Sequence, residues 1–194
     1  MRGDDAMKPW LPFLLLFAAG QAAASAGSYT FDPEHTFPSF EIRHHGVSVM
    51  RGKFNRNIGR AVLDPGGERN YVELRVDASS ADTGHAGLNS KLPGRNFFNT
   101  AQFPEIRFVA TQIDYADGKP VAAHGELTML GVTRPLSVEI RDFTCTRHFL
   151  RLRTLCGADV HATIRRTDFG MHYGAPMLIG DEVRLMVAVE AFRD

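Results

Sequence analysis

Tryptophan occurs once in 194 residues and cysteine twice, and the charges cancel, with 22 Lys+Arg against 22 Asp+Glu. Neutrality removes the global electrostatic case for nucleic acid, which needs a clustered basic surplus to neutralise phosphates. It equally weakens a case for holding acidic membrane surfaces by charge alone. Hydrophobic runs are short: the longest, Trp10 to Ala19, falls well under the roughly 20 residues a spanning helix needs. Catalytic signatures are missing too. There is no G-x-S-x-G elbow, no P-loop, no G-x-G-x-x-G and no H-E-x-x-H or Cys/His cluster. Asp168-Phe169-Gly170 spells the kinase magnesium tripeptide, but the rest of the kinase set is absent. No catalytic residue, metal site or cofactor is therefore expected.

What is present is phenylalanine, 14 residues against four tyrosines. Phe carries no polar handle, so such a chain packs a large dry core or lines an apolar cavity. The length suits one domain. Residues 1–26 read as a cleaved signal peptide: a short apolar run is followed by Ala24-Ser25-Ala26, the small-x-small pattern of signal peptidase, with cleavage before Gly27. That leaves 27–194 as the mature domain and places it in the periplasm. Export makes Cys145 and Cys156 legible as a disulfide closing a short loop.

Beyond residue 27 the apolar residues alternate. Phe40, Ile42 and His44 share one face; so do Val72, Leu74 and Val76, and likewise Ile106, Phe108 and Ala110. The same period of two runs through 136–140, 160–164 and 183–189. This is antiparallel sheet with one apolar face. Turns are marked at Asp64-Pro65-Gly66-Gly67, Asp117-Gly118 and Leu130-Gly131. Residues 79–104 lack the period and suggest a short helix with a loop against one end of the sheet. Seven or eight strands with continuous apolar faces close most economically into a barrel, which removes unpaired edges.

The polar candidates are few. His44 and His45, adjacent on a strand, are expected to point to opposite faces, which prevents joint chelation. His44 then lies on the inner face, either as a core histidine or as a polar contact at a cavity wall. Arg147, Arg151, Arg153, Arg165, Arg166 and His148 gather in and after the disulfide loop. They form either a solvated loop face or a patch for an anionic head group.

An ordered set of motifs runs the length of this domain. It comprises Tyr29-Thr30-Phe31-Asp32-Pro33-Glu34-His35-Thr36, Phe40-Glu41-Ile42-Arg43-His44-His45-Gly46-Val47-Ser48 and Arg51-Gly52-Lys53-Phe54. Phe97-Phe98-Asn99, Phe103 to Phe108, Gly125 to Pro135, Arg166-Thr167-Asp168-Phe169-Gly170-Met171 and Val187 to Ala191 complete it. Together these resemble the YceI-like family of exported polyisoprenoid-binding proteins over residues 28–192. The resemblance implies an all-β fold: a lipocalin-like, extended antiparallel barrel of about eight strands, with a helix-loop cap around 84–100. It also implies an internal tunnel for an isoprenoid lipid, either a polyprenyl phosphate or the tail of a quinone. The expected lining is Phe40, Ile42, His44, Phe54, Phe97, Phe98, Phe108, Met129 and Phe169. One departure stands out: where the family carries a charged run and an Asp before the aromatic pair, this chain has Leu88-Asn89-Ser90-Lys91-Leu92 and Asn96. The expected function is a non-enzymatic lipid carrier, monomer or homodimer, with transient membrane contact and no nucleic-acid partner. The alternative is an accessory enzyme or redox partner acting on an isoprenoid quinone beside a membrane cytochrome.

Overall fold

The computed structural model describes residues 26–194; residues 1–25, on which most of the signal-peptide expectation falls, lie outside the described part. Eleven strand segments are β1 (Gly27–Phe31), β2 (Phe37–His44), β3 (Ser48–Phe54), β4 (Asn57–Leu63), β5 (Tyr71–Asp77) and β6 (Ala81–Asp82), then β7 (Glu105–Ala116), β8 (Lys119–Met129), β9 (Val132–Arg147), β10 (Thr154–Arg165) and β11 (Ile179–Arg193). A four-residue helix, α1 (Ala86–Asn89), lies in the long connection from β6 to β7. The strands form one sheet in which β1, β4, β5, β7, β8, β9, β10 and β11 follow in order and β11 returns to β1. The fold is a closed antiparallel barrel of eight staves.

Eleven segments make eight staves because three staves are broken. β1 and β2 both pair with β11, β3 continues as β4 beyond residues 55–56, and β5 continues as β6 beyond the turn at Ala78–Ser80. The breaks lie side by side and are tied by polar groups. Asn57 Nδ2 donates to the Thr36 carbonyl at 2.7 Å, and the Arg56 amide donates to Ser80 Oγ at 3.0 Å. Interrupted ladders thus recover partners for backbone groups that would otherwise be buried unpaired.

Every alternating run expected from the sequence lies on a strand in the expected phase, with its apolar members inward. The turns match as well. Asp117-Gly118 and Leu130-Gly131 both take positive φ at two successive residues, as two-residue hairpins require. One expectation fails. β2 ends at His44, and His45 enters the turn with φ 50°, so its ring folds back edge-on against His44 at 4.3 Å between centroids. The two rings are neighbours rather than on opposite faces.

Strand directions place the loops at two ends. One end gathers the β2–β3 turn, the 83–104 connection, the β8–β9 turn and the 166–178 loop; the other gathers both termini and the β7–β8 and β9–β10 hairpins. At that second end Cys145 and Cys156 face each other across β9 and β10 and are disulfide-bonded. Packed clusters around Phe31, Ala61 and Ala191, and around Ala110, Ala123 and Val138, fill the barrel toward this end.

Candidate functional site: an apolar cavity in the barrel

Above those clusters the interior is hollow. A cavity of about 230 Å³ runs among inward side chains of β2, β3, β5 and β7–β11 and under the 83–104 connection. Small residues make the room. Gly52 sits opposite Phe40 on the neighbouring strand, and a Cβ there would stand 2.4 Å from the ring, so glycine lets Phe40 lie flat on the wall. Phe40 in turn packs at 5.7 Å on Phe54, and Phe54 at 5.4 Å edge-on to Phe98. The aromatic series fixes the wall between β2, β3 and the connection, each contact in the favourable tilted or edge-on geometry.

The upper wall is not a hydrogen-bonded sheet. β6 pairs with β3 but not with β7, and the gap is covered by residues 83–104. Leu88, Leu92, Phe97 and Phe98 of that connection point into the cavity. It is anchored by local polar bonds: Asn89 Oδ1 accepts from the Thr83 amide at 2.9 Å, and Asn89 Nδ2 donates to Asp82 at 2.7 Å. His85 caps α1 by accepting from the Leu88 amide at 3.1 Å. Gly84 and Asn89 hold the Asp82 carboxyl below its ordinary pKa.

Chemically the lining is uniform. Among the described residues it contains no His, Asp, Glu, Lys, Tyr or Cys; Ser39 and Thr83 are its neutral polar members and Arg166 its one charged side chain. Arg166 is only 2% exposed, and its fork is spent on the backbone. Nε donates to the Gly180 carbonyl at 2.7 Å, Nη1 to Met171 at 3.0 Å and Nη2 to Ile179 at 3.0 Å. Burial pushes the guanidinium pKa down, partly offset by Asp181. Arg166 therefore organises the 166–180 loop. The lumen holds no acid–base pair of the kind proton transfer uses, and no group of three or more metal-ligating side chains occurs among the described residues.

Of the nine expected lining residues, Phe40, Ile42, Phe54, Phe97, Phe98, Phe108 and Met129 border the cavity. His44 and Phe169 do not. His44 has the inward parity and sits on the last rung of β2, opposite Ser48 and the cavity residue Ile179, but its ring packs edge-on against His45 in the turn. Phe169, 3% exposed, ends a short 3-10 turn that packs it into the same core cluster as Phe54, Leu127, Met129 and Ile164 without reaching the cavity surface. The basic group also divides. Arg147, Arg151 and Arg153 sit at the β9–β10 hairpin, where Arg151 and Arg153 stack on Phe192, whereas Arg165 and Arg166 lie a full strand away. Sequence reasoning missed Leu88, which borders the cavity from α1, and Leu92 and Met171, which border it from loops, where no strand period could reveal them.

This geometry has known counterparts. The model of the YceI-like domain matches residues 29–191. A protein of Yersinia pestis named UPF0312 protein is 34% identical over 128 residues, which is 64% of this chain and 65% of the relative's own length. In three dimensions BcnA of Burkholderia cenocepacia superposes with a TM-score of 0.69 at 20% identity, covering 82% of this chain and 98% of that one. A polyisoprenoid-binding domain from Saccharophagus degradans superposes with a TM-score of 0.63 at 15% identity, covering 86% and 98%. With a matching domain across nearly all of its described residues and the same closed barrel, the chain belongs to the YceI-like family.

Proposed function

We propose that the protein is a periplasmic carrier that holds one isoprenoid lipid, a polyprenyl phosphate or the tail of a quinone, in its barrel cavity and performs no catalysis on it. The observation that carries this reading is the lining: aliphatic and aromatic side chains around a hollow, with the single guanidinium turned to backbone carbonyls. Such a concave dry site suits a hydrocarbon chain and offers few polar contacts to anything else. Burying the chain gains roughly 25 cal/mol per Å² of apolar area, offset by the ordering of a flexible tail. The binding named for the Saccharophagus degradans neighbour supports the same ligand class. Export with cleavage before Gly27 and a monomeric or homodimeric state complete the proposal.

Purified protein from the periplasmic fraction, extracted with organic solvent and read by mass spectrometry, is expected to release a near-stoichiometric isoprenoid. An empty protein that also takes up no added polyprenyl phosphate or quinone overturns the reading. Phe108→Asp places a carboxylate on the cavity wall, where a charge without a partner is costly. The folded variant is expected to lose the lipid. Retention at the wild-type level would remove Phe108 from the binding surface.

A further inference from the structure

The cavity end of the barrel carries an exposed apolar rim. Val47 and Met177 are each 84% exposed, with Tyr173 at 52% and Leu178 at 49%. Two loops present these residues, and they are joined: the His45 amide donates to the Leu178 carbonyl at 2.9 Å. The 170–178 loop is also internally bonded, with the Leu178 and Ile179 amides both donating to the Gly174 carbonyl at 2.9 and 3.0 Å. A bonded loop that holds large apolar side chains in solvent has a surface to meet. The rim is continuous with the lumen, because Tyr173 packs at 5.5 Å on the cavity residue Phe97 and Leu178 is followed by the cavity residue Ile179.

Charge is segregated at the same end. Residues 43–50, 83–104 and 170–178 contain no Asp or Glu, yet they include Arg43, Lys91 and Arg95. These loops are basic, as is the β9–β10 hairpin at the opposite end with Arg147, Arg151 and Arg153, but only the former lie beside the cavity residues Leu88, Phe97, Met171 and Ile179. Of the nearby carboxylates, Glu105 is paired with Arg75 and Asp181 with Arg165, both at 2.9 Å, Asp82 accepts from Asn89 and keeps its charge, and Asp168 lies in the 166–178 loop within the field of Arg165. Apolar tips set among cations fit the interface of an anionic bilayer, where the tips enter the acyl boundary and the cations meet phosphates.

We infer that Val47, Tyr173, Met177 and Leu178, flanked by Arg43, Lys91 and Arg95, form a docking rim that seats the cavity mouth on an anionic phospholipid bilayer. This assigns the rim a role in lipid exchange that rests on the carrier reading above, since docking spares the hydrocarbon chain a passage through water. The test is flotation of the whole exported protein with vesicles of phosphatidylethanolamine and phosphatidylglycerol. In parallel, uptake of ubiquinone from detergent micelles reads the cavity without a membrane. Combined Val47→Ser, Met177→Ser and Leu178→Ser is expected to reduce vesicle binding roughly tenfold or more, while detergent uptake stays at the wild-type level. Lys91→Glu with Arg95→Glu should weaken binding to these vesicles without weakening it on pure phosphatidylcholine. A control at the opposite end, Phe149→Ser with Leu150→Ser and Leu152→Ser, should float as the wild type does. Undiminished flotation of the rim variant, or loss in the hairpin control instead, overturns the proposal. Failed ubiquinone uptake by a protein that still floats counts against the carrier reading and leaves the docking rim standing.

Discussion

Replacing Arg166 with alanine removes a single side chain from contact with three backbone carbonyls at once. Each of Gly180, Met171 and Ile179 receives one hydrogen bond from a different nitrogen of the guanidinium, and the side chain is 2% exposed. A hydrogen bond to a charged group contributes about 1.5–3 kcal/mol, and a buried carbonyl left unpaired costs about 1–3 kcal/mol. Losses within one network do not add, so the expected destabilisation is about 3–5 kcal/mol. That is a large share of a typical total of about 5–15 kcal/mol. Lysine keeps the charge but offers a point ammonium in place of a planar fork; it should recover part of the loss, leaving a cost of about 2 kcal/mol. Urea unfolding followed by far-ultraviolet circular dichroism measures both variants, with m compared to confirm that midpoints report stability. Because the carbonyls lie in the 166–178 loop and at the start of β11, the Leu178 and Ile179 amides should also exchange with solvent faster in the alanine variant. A cost under about 1 kcal/mol, or lysine equal to alanine, would refute the assignment of this arginine as the organiser of the loop.

Two further outcomes follow from other parts of the barrel. The Cys145–Cys156 bond has a sequence separation of 11, and Cys145→Ser with Cys156→Ser is expected to lower stability by about 2–3 kcal/mol; denaturant midpoints with and without reductant give the value, and two free thiols in the native protein would remove the basis for it. On the outer face, hydrogen bonding from Arg107 holds the Glu73 carboxyl below its usual pKa of 4.5, with Tyr71 and Arg60 adding to it against the opposing effect of burial. A depressed carboxylate contributes stability above its unfolded pKa and loses it as pH falls through the folded value. The acid limb of the stability–pH curve below 4.5 should therefore be shallower in Glu73→Gln than in the wild type; parallel acid limbs would show that the pair contributes nothing.

Much of this molecule was legible from a period of two. Val72-Leu74-Val76 and Val183-Leu185-Val187-Val189 face inward because alternation is enforced by the pleat wherever one face is buried, and a slip of one residue would invert every side chain. The Phe excess likewise marked a wall, since Phe40, Phe54, Phe97, Phe98 and Phe108 all border the cavity. Legibility stopped at the ends of the strands. His44 keeps the inner parity, but parity does not show that the following turn folds His45 back onto its ring. Phe169 has no parity because it sits on a 3-10 turn. The breaks at 55–56 and 78–80 were equally hidden. They depend on pairings such as Arg56 with Ser80, which link residues far apart in the chain and leave no local pattern.

The gap between β6 and β7 has a consequence for the energetics of entry. Elsewhere around the barrel, except between β9 and β10 beyond the Glu139–His161 pair, parting two neighbouring staves breaks a ladder of main-chain hydrogen bonds. Across this gap the 83–104 connection is held to the lumen by Leu88, Leu92, Phe97 and Phe98, with polar anchors to β6 and to itself and, at its far end, a hydrogen bond from the Ala78 amide to the Pro104 carbonyl at 2.9 Å. Lifting it exposes hydrocarbon to water and severs no ladder between β6 and β7. Such a step carries a positive heat-capacity change and little enthalpy near room temperature. Cooling therefore weakens what holds this wall shut, whereas the hydrogen-bonded staves around it depend far less on that term.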